Sequence, residues 1–204
     1  TVGGFYAHFP SKEALVDEAI AEEFTKRVVE KSKTLKQGDP RDLETDVSAL
    51  ITRKHFETID GFVERAKADG ATVLTGGGPN TELGGLFYEP TILADCPEGS
   101  EILTEEVFGP VLTIETFSGD DEGVAKANDT RFGLAATLVT SDPERAEKVS
   151  AQLRAGTVWV NCFFVRDLGA PFGGSGRSGI GREGGIWSFD FYCDVKNSVF
   201  APSN

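Results

Sequence analysis

The sequence has 204 residues, of which 39% are hydrophobic and 26% are charged, and it carries a net charge of −13 with an isoelectric point near 4.6. This length and composition are typical of a globular protein with one buried core, or with one core and a small appendage. So acidic a chain excludes a general nucleic-acid surface, which needs a basic footprint. No run approaches the roughly 18 apolar residues that a membrane span requires.

The cysteines bear on the redox compartment of the protein, and its first residue bears on whether the chain is a fragment or a processed product. Cys96, Cys162 and Cys193 form no close-spaced pair, and an odd number of cysteines is typical of reduced thiols in the cytoplasm. The sequence begins at Thr1 and contains no methionine. We therefore expect a fragment or a processed product.

Two helices are predicted in the first third of the chain. The first begins after Ser11, which can cap a helix N-terminus, and continues to about Leu35. The second spans roughly residues 52–69 and ends at Gly70. Apolar residues at helical spacing indicate a core-facing stripe in each: Val16, Ile20, Phe24 and Val28 in the first, and Phe56, Ile59, Val63 and Ala66 in the second.

After Gly70 the pattern becomes an alternation of strands and helices. Strands are predicted at 71–74, 111–117, 135–140 and 157–160, and helices at 121–127 and 143–155. Such alternation predicts an α/β fold whose layered sheet contains parallel pairs. The glycine-dense stretch 168–185 predicts a loop that lies close to another backbone or to a ligand.

Several motifs, in a fixed order, carry a resemblance to a known family. They are EEVFGPV at 105–111, ANDTRFGLA at 127–135 with AGTVWVN at 155–161, and PFGG at 171–174 with SGIGREGG at 178–185; GDP at 38–40 and YEPTIL at 88–93 accompany them. Together these stretches resemble the aldehyde dehydrogenase superfamily, from about residue 22 to residue 200. The resemblance implies that residues 22–204 are the C-terminal half of such an enzyme. This half contains part of a helix–sheet–helix catalytic domain and a terminal oligomerisation strand at 194–200.

The resemblance also implies roles for particular residues. Glu106 matches the carboxylate that accepts hydrogen bonds from the nicotinamide ribose of NAD or NADP, and Phe108 matches the aromatic residue that limits nicotinamide movement. Phe172 matches an aromatic residue of the substrate tunnel. The family's nucleophilic cysteine and general-base glutamate precede the matched region. We therefore expect no catalytic residue in this chain and no activity from it alone.

Arg166 suggests which aldehyde the intact enzyme oxidises. VRDL at 165–168 and WSFDFY at 187–192 are similar to dehydrogenases of muconic semialdehydes, whose substrates carry carboxylates. A guanidinium group is the natural bidentate partner of a carboxylate. The alternative, an ion pair between Arg166 and an acidic side chain at the surface, stays open.

Several other features invite a functional interpretation that their context does not support. ELGG at 82–85 copies the letters around the family's catalytic glutamate, but it lies in a region predicted to be a variable loop. GSGRSG at 174–179 spells a dinucleotide motif without the strand and helix that such a motif needs. Cys162 is interpreted as a packed small residue. His8 and His55 lack the partners of a catalytic triad.

Residues 1–20 resemble a different family, the TetR-type repressors. They match a recognition helix, in which Thr1, Gly4, Tyr6 and His8 would face DNA. Because the first two helices of that domain are missing, specific DNA binding is not expected, and the segment is interpreted as a graft that extends the first helix. Two alternatives to the enzyme remain: a regulator fragment, and a non-catalytic module that docks onto intact dehydrogenase subunits. An intact family member is expected to be a cytoplasmic homo-oligomer that acts on a small aldehyde.

Overall fold

The computed structural model describes residues 6–8 and 14–202, with side chains from residue 20 to residue 202. In chain order the elements are β1 (Tyr6–His8), α1 (Ala14–Lys33), α2 (Arg53–Ala68), β2 (Thr72–Thr75), β3 (Thr91–Ala94), α3 (Glu101–Thr104), β4 (Val111–Ile114), α4 (Asp120–Asn128), β5 (Ala135–Val139), α5 (Pro143–Gln152), β6 (Thr157–Val160) and α6 (Trp187–Tyr192), with a 3-10 turn at Gly176–Ser178. The chain divides into two compact units. The first comprises residues 9–130, and the second runs from Arg131 onwards and includes β1.

The first unit is built around a three-stranded sheet with the order β2-β3-β4. β2 is antiparallel and β4 parallel to the central strand. Thr91, Ile92 and Leu93 of β3 are at most 2% exposed. The predicted stripe of α2 enters the same core: Ala66 shares an apolar cluster with Leu93, and the rest of the stripe packs around Tyr88. Burial of each large apolar side chain contributes about 1.5–3 kcal/mol.

The ends of α2 follow from its sequence. The Thr52 hydroxyl accepts a hydrogen bond from the backbone N–H of His55 at 3.1 Å, which satisfies one of the free donors at the helix N-terminus. At the other end Gly70 has a φ of 105°, a left-handed conformation that favours glycine and stops the helix. The predicted helix over residues 52–69 is therefore confirmed.

The second unit contains a parallel sheet with the order β1-β5-β6. Leu138 of β5 and Trp159 of β6 are buried in its core, and so is Val149 of α5. The Asp142 carboxylate caps α5 by accepting hydrogen bonds from the backbone N–H groups of residues 144 and 145, at 2.9 and 3.2 Å. The parallel pairing confirms the predicted α/β class.

The structure differs from the sequence-based prediction in several elements. β3, α3 and α6 were not predicted, β4 ends at Ile114, and α5 ends at Gln152. The interior strand β3 is missed because a fully buried strand has a continuous apolar run and not an alternating pattern. The predicted strand at 194–200 forms no strand in the described chain, because a strand needs a hydrogen-bonded neighbour. Val195, Val199 and Phe200 are 84–92% exposed there.

The N-terminal prediction is also corrected. Tyr6–His8 would lie within the recognition helix that the TetR-type resemblance implies, but they form β1, which pairs in parallel with β5. Pairing with the open edge of β5 satisfies backbone groups that an isolated short helix would leave to solvent. Thr1 and Gly4, two of the residues expected to face DNA, lie outside the described residues.

α1 is a long, highly charged helix. It spans 20 residues and carries an exposed ion pair between Arg27 and Glu23 with a 2.7 Å separation. Across residues 6–8 and 14–202, no helix combines the length and the apolar character needed to cross a membrane.

Candidate functional site

The segment that connects α3 to β4 presents two of the predicted site residues. Val107 packs against both apolar clusters of the first unit, whereas Glu106 and Phe108 on either side of it are exposed. Val107 is partly buried by these contacts and anchors the segment, while its two neighbours remain exposed to solvent.

Phe108 is held in a conformation that its residue type rarely adopts. Its φ is +57°, in the left-handed region, and its side chain is 61% exposed. Such a conformation costs about 1–3 kcal/mol and persists only where surrounding contacts enforce it. Strained backbone of this kind clusters at ligand-binding sites.

His55 supplies one of the enforcing contacts. Its Nε2 lies 2.8 Å from the Phe108 carbonyl oxygen, a hydrogen bond in which the Nε2–H tautomer donates, and the two rings are 5.8 Å apart. Sequence reasoning found no role for His55 beyond excluding a triad. It acts on a residue 53 positions away through a backbone atom, and no local pattern signals such a contact.

Gly109 supplies a second constraint. A Cβ atom at this position would lie 2.5 Å from Cδ1 of Ile59, which is completely buried. Only glycine lets the chain pass this close to α2. The next residue is also anchored, because the carbonyl oxygen of Pro110 accepts a hydrogen bond from the backbone N–H of Thr91 at 2.8 Å.

Glu106 keeps its carboxylate available. It makes no hydrogen bond or ion pair with any described residue. A carboxylate without a partner can accept two hydrogen bonds from neighbouring hydroxyl groups. The adjacent Phe108 ring can cover an uncharged planar group and keep water from it.

In the second unit, Asn161 shapes the loop that follows β6. Its side-chain amide accepts a hydrogen bond from the Thr140 N–H at 2.9 Å and donates one to the Thr140 carbonyl at 2.8 Å. It has a φ of +54°, which asparagine tolerates better than most residues. Trp159 holds the far end of the loop by donating from Nε1 to the Val165 carbonyl at 2.8 Å.

The loop places Arg166 beside Phe172 and Glu183, and these three side chains form a cluster. The guanidinium carbon lies 4.3 Å from the centre of the Phe172 ring, and Nη2 lies 3.0 Å from Oε1 of Glu183. The two predicted substrate residues, Arg166 and Phe172, are therefore in contact. Glu183 is a site residue that sequence reasoning missed, and its ion pair is the alternative that was left open for Arg166.

Three secondary interpretations can also be judged. Cys162 is exposed just after the end of β6, so its interpretation as a packed residue is wrong. The stretch at 82–85 lies in a loop between β2 and β3, where Asn80 accepts hydrogen bonds from two backbone N–H groups. The stretch at 174–179 is a loop with a 3-10 turn and opens no α-helix.

Comparisons with known proteins agree with these motifs. The sequence profile described as "Aldehyde dehydrogenase family" matches residues 10–198. The chain is 41% identical over 191 residues to the chloroplastic aminoaldehyde dehydrogenase of Arabidopsis thaliana, covering 93% of this chain and 38% of that protein. It is 42% identical over 186 residues to the 2-hydroxymuconic semialdehyde dehydrogenase of Pseudomonas sp. (strain CF600), covering 89% and 38%.

The fold agrees with a solved structure of the same kind. Betaine aldehyde dehydrogenase from Staphylococcus aureus, in complex with NAD+, superposes with a TM-score of 0.81 at 37% identity, covering 86% of this chain and 36% of that one. The chain thus spans about two fifths of the length of the relatives that it matches. It belongs to the aldehyde dehydrogenase family.

Proposed function

We propose that this chain is the C-terminal part of an NAD(P)-dependent aldehyde dehydrogenase that oxidises an aldehyde to a carboxylic acid. The observation that carries the proposal is the pair of outward-facing residues, Glu106 and Phe108, on a segment whose backbone is fixed by Val107, His55 and Gly109. A site that must align a cofactor needs this kind of rigid support.

The residues present fit the nicotinamide end of the cofactor. The unpartnered carboxylate of Glu106 suits the two vicinal hydroxyls of a ribose, and the exposed Phe108 ring suits the face of an uncharged pyridine. When bound, the nicotinamide supplies a hydride acceptor. NAD is favoured over NADP by the nucleotide bound to the Staphylococcus aureus relative.

For the substrate we propose a semialdehyde that carries a carboxylate, bound by Arg166 and lined by Phe172. Sequence identity does not decide this point, because an aminoaldehyde dehydrogenase and a muconic semialdehyde dehydrogenase match almost equally well. The positive charge at position 166 supports a carboxylate-bearing substrate. A guanidinium group attracts a carboxylate and repels a protonated amine.

The proposal has consequences for the chain by itself and for the intact enzyme. The resemblance implies that the family's nucleophile and general base precede the matched part, which is 38% of the aminoaldehyde dehydrogenase, so the 204-residue chain alone should form no NADH. We further propose a cytoplasmic homo-oligomer in which the exposed residues 194–200 pair with another subunit. Specific DNA binding by residues 1–20 is not part of this proposal, since Tyr6–His8 form a strand.

The test restores an intact enzyme by grafting residues 22–204 onto the N-terminal part of a related dehydrogenase. NADH formation is followed by absorbance with a carboxylate-bearing semialdehyde and with a neutral aldehyde of similar size. Arg166→Ala should raise KM for the first substrate roughly ten- to hundredfold, because a charge-assisted hydrogen bond is worth about 1.5–3 kcal/mol. The neutral aldehyde should be little affected.

The matched control is Arg177→Ala, which removes another arginine of the glycine-rich loop that lies over an aromatic ring, Phe132. It should change neither KM. Equal losses on both substrates with Arg166→Ala would refute the carboxylate-bearing substrate. A graft that folds and binds NAD but oxidises no aldehyde would refute the enzymatic function itself.

A further inference from the structure

Glu183 forms an ion pair with Arg166, the residue proposed to bind the substrate carboxylate. Its Oε1 lies 3.0 Å from Nη2 of the arginine, and the guanidinium carbon lies over the Phe172 ring, 4.3 Å from its centre. The side chain of Arg166 is one third exposed and that of Glu183 about half exposed. A ligand can therefore reach the pair from solvent.

The backbone fixes where Glu183 sits. Phe172 and Glu183 form an antiparallel bridge in which each N–H donates to the other's carbonyl, at 2.7 and 2.8 Å. The following residue, Gly184, has a φ of +93°, and its N–H donates to the Ser188 hydroxyl at 2.9 Å. The carboxylate is thus attached to a braced position, although its own side chain can rotate into solvent.

The ion pair with Glu183 uses few of the N–H donors of Arg166. A guanidinium has five N–H donors in a planar fork, and only one of them has a partner among the described residues. A single bond of this kind, partly exposed, is weaker than the two-pronged arrangement that a free carboxylate can adopt. A ligand carboxylate that approaches these N–H donors is repelled by the negative charge of Glu183. The Glu183 side chain must therefore move away when the ligand binds.

We propose that Glu183 is a specificity-determining residue that competes with the substrate carboxylate for Arg166. This inference rests on the proposed substrate class. In the resting state Glu183 neutralises Arg166, so a neutral aldehyde does not meet an unpaired cation. A carboxylate-bearing aldehyde displaces Glu183 and binds through the free fork. Glu183 therefore weakens carboxylate binding and broadens the range of aldehydes that the site accepts.

The experiment uses the full 204-residue chain labelled with ¹⁵N and follows the arginine Nε–H resonances. The ligand is hexa-2,4-dienedioate, an unreactive dicarboxylate, and its dimethyl ester is the neutral counterpart. Glu183→Gln keeps the size and the hydrogen-bonding capacity of the side chain but removes its charge. It should tighten dicarboxylate binding roughly two- to fivefold, the range expected for release of a partly exposed ion pair. Binding of the ester should not change.

The matched control is Glu101→Gln, which neutralises a similarly exposed ion pair with Arg65 in the first unit. It should leave dicarboxylate binding unchanged. Because a merely structural role of Glu183 would lower the unfolding temperature and affect both ligands, unfolding is measured in parallel and should stay the same.

Two results would overturn the inference in distinguishable ways. If Arg166→Gln abolishes dicarboxylate binding but Glu183→Gln fails to tighten it, competition is refuted and the substrate class stands. If dicarboxylate binding is the same with Arg166→Gln, or no variant binds at tens of millimolar, the substrate class is refuted together with the competition.

Discussion

The two regions that carry site residues are stabilised in opposite ways. The segment 105–111 is fixed by apolar packing and contains one strained residue, Phe108, and the carboxylate of Glu106 has no partner among the described residues. The loop 161–185 buries few side chains and is fixed by close backbone contacts at its glycines, while Arg166 is paired with Glu183. A site that always binds the same cofactor can keep its polar group unpaired, whereas a competing side chain of the protein lets a substrate site accept both charged and neutral aldehydes.

Among the substitutions that distinguish the two regions, glycine-to-alanine changes are expected to have the largest effect on the free energy of unfolding. A Cβ at Gly156 would overlap the carbonyl oxygen of Gly173, and backbone cannot move aside as a side chain can. Gly156→Ala should lower the free energy of unfolding by about 3 kcal/mol or more, the upper end of overpacking costs. Gly109→Ala, which meets the side chain of Ile59, should cost about 1–3 kcal/mol.

Chemical denaturation of the purified variants measures both values. The control is Gly78→Ala, because a Cβ at Gly78 meets nothing within 4 Å; its cost should stay within about 0.5 kcal/mol. If Gly109→Ala proves costlier than Gly156→Ala, backbone packing is not what fixes the glycine-rich loop, and the contrast between the regions fails.

A smaller effect is expected at His55, which supports Phe108 through its carbonyl. His55→Ala should lower the free energy of unfolding by about 1 kcal/mol, the usual net value of one hydrogen bond. In the grafted enzyme it should also raise KM for NAD, because the Phe108 backbone loses a constraint. His55→Asn keeps a donor of shorter reach and should recover part of the loss. An unchanged KM for NAD with His55→Ala would remove His55 from the support of the cofactor segment.

The smallest effect concerns the thiols. Burial, followed by the charges of Glu115 and Asp95, raises the pKa of Cys96 to about 11. The folded state therefore keeps Cys96 protonated while the unfolded chain ionises near the ordinary thiol pKa of 9.0, so this group's contribution to stability is lost as pH rises from about 9 to 11. At pH 8, iodoacetamide should modify the exposed Cys162 and Cys193 well before Cys96. Equal modification rates, measured by mass spectrometry, would contradict this assignment.

The sequence predicted the elements whose signals are local. α2 combines a helical stripe with a threonine cap and a glycine stop, and β6 was predicted with its observed bounds, because each pattern lies within a few residues. Contacts between distant positions escaped prediction. His55 acts on Phe108 across 53 positions, and Glu183 meets Arg166 across 17. His55 is an ordinary polar residue in its local sequence, and the motif that contains Glu183 does not indicate its partner, so only the folded chain reveals these contacts.

The proposal for Tyr6–His8 failed for a related reason. Its resemblance to a recognition helix was read from the segment alone, but the open edge of β5, more than 100 residues away in sequence, pairs with it as a strand. Glu106 and Phe108 are different, because the family motif that contains them also contains the valine and the glycine that orient them. Their exposure could therefore be expected from the sequence, while the strain at Phe108 could not.

The most direct test of the central claim, that residues 105–111 hold the nicotinamide ribose, is kcat/KM for NAD of the grafted enzyme with Glu106→Gln. We expect this value to fall roughly ten- to hundredfold, since hydrogen bonds to a charged group are worth about 1.5–3 kcal/mol. The exposed Glu98→Gln serves as the control and should leave kcat/KM unchanged. Equal values of kcat/KM for NAD in Glu106→Gln and the unmodified graft would contradict the claim.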